Sequence, residues 1–132
     1  MKSIIIKNVN KVVITSLVKY EVEGKKKMKK FYLFCSAGMS TSMLAKKMQN
    51  CANQHNLKIE IKAFSISTMY DIVKKENPDC ILLGPQVRYL LDETKSKYNP
   101  IPVMDIDMSD YGKMDGDKVL KSAILLYKRS NK

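Results

Sequence analysis

The chain reads as a single α/β domain: a four-stranded parallel sheet flanked by helices on both faces, with a P-loop-type turn after the first strand. Three features of the sequence lead there. Short apolar strand patterns alternate with helix patterns from Lys30 onward, and right-handed crossovers turn that order into a parallel sheet covered on both sides. One strand pattern, Cys80-Ile81-Leu82-Leu83, is apolar without interruption, as suits a strand in the middle of such a sheet. The first strand runs directly into small polar residues, Cys35 to Ser42, that open a helix.

Phe31 to Phe34 is the first strand. Thr41 to His55 is a helix, with Met43, Leu44, Met48 and Cys51 on one face opposite Lys46, Lys47, Asn50 and Asn53. That spacing makes Cys51 a core residue and leaves His55 as a residue of the helix C-terminus. Leu57 to Phe64 alternates apolar and polar, the pattern of an edge strand. Ser67 is placed to cap a short helix from Thr68 to Lys75, which Asn77-Pro78 closes.

After the Cys80–Leu83 strand, Gly84-Pro85-Gln86 is a turn into a helix through Val87, Tyr89, Leu90 and Leu91. Ile101 to Met104 is the fourth strand. Asp105 to Gly116 reads as a polar loop, and Asp117 to Lys128 as the last helix, its apolar face made by Val119, Leu120, Ala123, Ile124 and Tyr127.

A length of 132 residues with 45% hydrophobic content is enough for one core. Residues 1–27 are read as an appended leader outside that core and 28–132 as the domain. The leader ends in Glu23-Gly24-Lys25-Lys26-Lys27, a breaker followed by like charges. No apolar run approaches the roughly 20 residues that span a bilayer, and no cleavage site of a secretory signal follows the first segment. Three cysteines (Cys35, Cys51, Cys80) and one histidine lack metal-ligand spacing. The expectation is a reducing, cytoplasmic setting with no metal and no cofactor.

The net charge of +11 does not point to nucleic acid. The leader alone carries seven lysines against two glutamates, and the other lysines are scattered along helices. Only Arg88 and Arg129 supply guanidinium, and there is no Trp to stack on bases. Solvated helix faces explain the charge.

Ligands of open parallel sheets bind at the carboxyl ends of the strands, where the Cys35–Ser42, Gly84–Gln86 and Asp105–Gly116 segments meet. A loop between a strand and a helix N-terminus gathers unpaired N–H groups at the positive end of the helix dipole, which makes an anion site. Cys35 stands at its first position, where the same field favours a thiolate. A buried cysteine without chemistry is the plain alternative. The unobstructed run Ser36, Ala37, Gly38, Met39, Ser40, Thr41 and Ser42 favours a nucleophile beside a phosphate-sized cradle instead, with hydroxyls as further donors. Gln86, Tyr89 and Tyr111 are candidates to line the site. Met39 is a candidate docking contact, and Lys46 and Lys113 candidates to favour an acidic partner.

The stretch Leu33 to Ser42, followed by Leu82-Leu83-Gly84-Pro85-Gln86 and Tyr111-Gly112-Lys113-Met114-Asp115-Gly116, resembles the EIIB component of the bacterial phosphoenolpyruvate-dependent sugar phosphotransferase system, lactose/cellobiose/chitobiose class. The likeness covers about Met28 to Arg129. It implies a phosphocysteine carrier: a phosphohistidine on the EIIA partner donates its phosphoryl group to Cys35, which passes it to a sugar held by membrane EIIC. Cellobiose or diacetylchitobiose is the implied sugar, and no nucleic acid or direct membrane insertion is expected. The low-molecular-weight tyrosine phosphatases share a similar fold and a cysteine loop, but they need an Arg where this sequence has Thr41. Without it, hydrolysis is poorly supported. The carboxylates Asp105, Asp107 and Asp110 read as ordinary loop residues rather than a general acid. A non-catalytic regulatory α/β module, in which Cys35 is incidental, is the third reading.

Overall fold

The computed structural model describes residues 28–36 and 38–130. The order is β1 (Lys29–Cys35), α1 (Gly38–Gln54), β2 (Ile59–Ser65), α2 (Met69–Glu76), β3 (Cys80–Leu83), α3 (Leu91–Tyr98), β4 (Val103–Asp105), α4 (Met108–Gly112) and α5 (Gly116–Ser130). Short 3₁₀ turns, Ile66–Thr68 and Pro85–Leu90, precede α2 and α3. All neighbouring strands are parallel, in the order β2-β1-β3-β4. The four-stranded parallel sheet expected from the sequence is therefore present, with the alternating Ile59–Ser65 strand at one edge.

Strand periodicity divides the core into two layers. Phe31, Leu33, Cys80 and Leu82 face the layer where Leu44, Met48, Cys51, Val119, Ala123, Ile124 and Tyr127 of α1 and α5 pack. Tyr32, Phe34, Ile81 and Leu83 face the other layer, against Met69 and Val73 of α2, Val87 and Val103. A central strand must be apolar on both faces to do this, which is why β3 has no polar break. All five residues expected on the buried face of α5 are buried. A methyl group at Gly116 would meet Lys47 Cβ at 2.8 Å and Met48 N at 2.9 Å, so a glycine is what lets α5 begin directly on the backbone of α1.

Several boundaries differ from the sequence expectation. α1 begins at Gly38, not Thr41, so Ser40, Thr41 and Ser42 lie in its first turns rather than in a long loop. Met43 is 55% exposed: in an α-helix it stands about 100° around the axis from Leu44 and about 140° from Met48, off the face that those two share. Ser67 does not cap α2. The capping side chain is Ser65, which accepts from Ser67 N and initiates the 3₁₀ turn, and α2 follows from Met69. The polar stretch after β4 is not a loop throughout, because Asp107 accepts from Asp110 N at 3.1 Å and starts the short helix α4. The expectation for residues 1–27 falls outside the described residues.

Candidate active site

The chain leaves β1 toward β2 on one side and returns across it to β3 on the other, so β1 and β3 are neighbours whose connections diverge. α1 packs on one face of the sheet, while the turn after β3 packs on the other. Divergence of this kind opens a crevice at the carboxyl ends of the two strands. Cys35 is the last residue of β1, and Gly84 N donates to Phe34 O at 2.8 Å, which holds the turn after β3 against it.

In the crevice the Cys35 thiol donates to Gln86 Oε1 at 3.0 Å. Cys35 is 2% exposed, whereas Gln86 and Ser36 are exposed at the mouth. α1 starts three residues beyond the cysteine and has no acidic residue in its first turn. Its leading N–H groups and dipole thus face the sulfur's end of the sheet without a competing carboxylate. Ser40 and Ser42 are exposed on this helix. Ser42 is already in its second turn, where an α-helix uses the backbone N–H internally, so its hydroxyl is the donor left to it. The expectation for Ala37, and those for the side chains of Gly38 and Met39, fall outside what is described.

Thr41 behaves differently from its serine neighbours. It is buried, and its Oγ1 lies 3.0 Å from Tyr111 Oη. Tyr111 is on α4, which Asp107 caps and which Lys118 steadies through an ion pair with Asp110 at 3.5 Å. The three segments expected to converge do so: Cys35 meets Gln86, and Thr41 meets Tyr111. Tyr89 lies on the same 3₁₀ turn as Gln86, where it is 78% exposed. Lys46 and Lys113 are exposed. Arg88, not part of the expected site, stands at the same end of the sheet with Nε 3.9 Å from Asp105 Oδ2. All three aspartates have structural partners, but Asp107 caps a helix and Asp110 is buried within it, so these two are not the solvated loop residues expected.

The other cysteines are placed for packing. Burial and a hydrogen bond with Asp117 push the Cys51 thiol up to about 12. Cys80 lies in the middle of the sheet, where burial, and then Asp79, raise its thiol still further. Neither ionises near neutrality. No helix among the described residues is long and apolar enough to cross a membrane.

The profile of the family described as "PTS system, Lactose/Cellobiose specific IIB subunit" matches residues 30–122. The chain is 44% identical over 96 residues to the PTS system galactose-specific EIIB component of Lactococcus lactis subsp. cremoris, covering 69% of this chain and 89% of that protein. It is equally 44% identical over 96 residues to the PTS system cellobiose-specific EIIB component of Lactococcus lactis subsp. lactis, with the same coverage of 69% and 89%. The solution structure of the cellobiose-specific phosphotransferase IIB component protein from Borrelia burgdorferi is similar at a TM-score of 0.64 and 33% identity, covering 78% of this chain and 94% of that one.

Proposed function

The chain belongs to the lactose/cellobiose-specific IIB subunit family of the sugar phosphotransferase system, and we propose that Cys35 is the residue on which it carries a phosphoryl group. EIIB components of this system act as phosphotransferases together with EIIA and EIIC. The observation that carries the assignment is the position of the Cys35 sulfur: at the switch point of the sheet, 3.0 Å from Gln86 Oε1 and just ahead of an α-helix N-terminus.

In the first transfer the sulfur, having lost its proton to solvent, attacks the phosphorus of an EIIA phosphohistidine. The S–P bond forms as the N–P bond breaks, and the electron pair stays on the imidazole nitrogen. In the second, a sugar hydroxyl held by EIIC attacks the phosphorus and releases its proton. The S–P bond breaks and the pair returns to sulfur. Phosphoryl transfer asks mainly for alignment and charge stabilisation, which a helix N-terminus and the hydroxyls of Ser36, Ser40 and Ser42 are suited to supply. A cradle built from N–H and hydroxyl donors rather than guanidinium also lets the group go.

Cellobiose or diacetylchitobiose is the proposed sugar, and the cytoplasm the proposed compartment, where free thiols persist. Relatives of equal identity bear different sugar names, so a panel of sugars must decide. The test is intact-protein mass after incubation with phosphoenolpyruvate, the general components and EIIA. The wild type gains one phosphoryl group that sugar plus EIIC membranes discharge, and Cys35→Ser gains none. Failure of the wild type to gain it while EIIA is itself phosphorylated overturns the proposal. Cys35-dependent hydrolysis of an aryl phosphate would point to the phosphatase reading instead.

A further inference from the structure

Gly84, which follows β3, has φ −64° and ψ 157°. That is an extended conformation open to any L residue, so the backbone itself has no need of glycine here. The space does. A methyl group on Gly84 would stand 2.7 Å from Cys35 Sγ, 3.1 Å from Cys35 Cβ and 3.2 Å from Gln86 Oε1.

Neither backbone has freedom to retreat, so the adjustment falls on the Cys35 side chain. Gly84 N donates to Phe34 O at 2.8 Å, and Gly84 O accepts from Val87 N at 3.0 Å. Pro85 follows and narrows the choice of backbone further. On the other side, Cys35 ends a central strand in register with Ser65, and the preceding Phe34 is in register with both Phe64 and Leu83. Non-bonded contact with carbon begins at roughly 3.5 Å, so a side chain on Gly84 would displace the sulfur by about 1 Å.

We propose that Gly84 is a positioning residue for Cys35: its missing side chain is the seat in which the sulfur lies, against the β3 turn and within reach of Gln86. The consequence for phosphoryl transfer rests on Cys35 being the carrier, whereas the seat itself does not. A reacting atom misplaced by about 1 Å loses on the order of 100-fold in rate, because in-line geometry is lost.

The experiment combines Gly84→Ala with Cys35→Ala in a double-mutant cycle read by thermal unfolding, and measures phosphoryl uptake from EIIA by the Cys35-containing pair. Gly84→Ala is expected to lower Tm by about 5 °C when Cys35 is present and by less than half as much when residue 35 is alanine. Uptake at saturating EIIA should fall about 100-fold, with the half-saturating EIIA concentration unchanged. An equal Tm loss in both backgrounds, or unchanged uptake at saturation, overturns the proposal. If Gly84→Ala alone does not fold, a folded double variant supports it and an unfolded one overturns it. A wild type that takes up no phosphoryl group removes the carrier assignment, and the thermal cycle still decides whether the glycine serves the sulfur.

Discussion

Thr41 Oγ1 and Tyr111 Oη lie 3.0 Å apart and join the first helix after the cysteine to the short helix α4, across 70 residues of sequence. Thr41 is 1% exposed, so its hydroxyl has little water to turn to. Thr41 stands where the sequence comparison looked for an arginine, six positions after Cys35. The residue there fastens the site's wall instead of presenting a charge to an anion.

Removal of the phenol tests that role. Tyr111→Phe is expected to lower stability by about 1–2 kcal/mol, the effect of leaving a buried hydroxyl without a partner. Thr41→Val combined with Tyr111→Phe should be less destabilising than the sum of the two single changes, because one interaction is removed twice. Denaturant unfolding of the four proteins checks this, and strict additivity would show that the hydrogen bond has no energetic role.

Gln86 is exposed, so its substitution should leave the fold nearly as stable, within about 0.5 kcal/mol. On the proposed carrier chemistry, Gln86→Ala slows phosphoryl uptake by Cys35 about tenfold, the equivalent of one hydrogen bond near the reacting sulfur. Gln86→Glu slows it more, since a carboxylate repels the incoming phosphoryl oxygens. Stopped uptake measurements with phosphorylated EIIA distinguish the two variants, and a Gln86→Glu rate equal to wild type would count against any contact with the transferred group.

The strands and long helices could be read from patterning because burial on two faces leaves contiguous apolar runs such as Cys80–Leu83, and burial on one helix face leaves the spacing of Val119, Leu120, Ala123, Ile124 and Tyr127. Cap positions were less readable. Ser40, Thr41, Ser65 and Ser67 are all capable caps by type, and only the tertiary path selects among such residues. α4 has five residues, too few for a periodic signal, and it depends on the side chain of Asp107. The pairings Cys35–Gln86 and Thr41–Tyr111 join residues far apart in sequence. The sequence brings their segments to one end of the sheet, but the individual partners emerge only from register and helix placement.

The three thiols should respond to alkylation in a fixed order. Burial and Asp117 hold the Cys51 thiol up at about 12, and burial raises Cys80 further, so both remain protonated at pH 8 in the folded chain. Folded protein treated with iodoacetamide should gain its first adduct at Cys35, and denatured protein should gain three. Peptide mapping reads the site. First modification at Cys51 would contradict the protonated state that burial and Asp117 give its thiol.

The amino end of the sheet should make acid stability sensitive to one ion pair. Lys30 Nζ lies 2.9 Å from Glu76 Oε1, and this hydrogen bond, then the lysine's charge, hold the Glu76 carboxyl below its ordinary value. A depressed folded-state carboxylate stabilises the protein above the unfolded-state value, and that contribution disappears as pH falls through the folded-state value. The stability difference between wild type and Glu76→Gln should therefore be largest near neutrality and shrink in acid below the usual carboxylate range. Both side chains are about one-third exposed, at 29% and 30%, so the difference should be modest and should diminish in about 1 M salt. Urea unfolding of the two proteins from pH 7 to pH 3, at low and high salt, measures it. A difference that stays constant with pH would show that Glu76 acts through packing rather than through its charge.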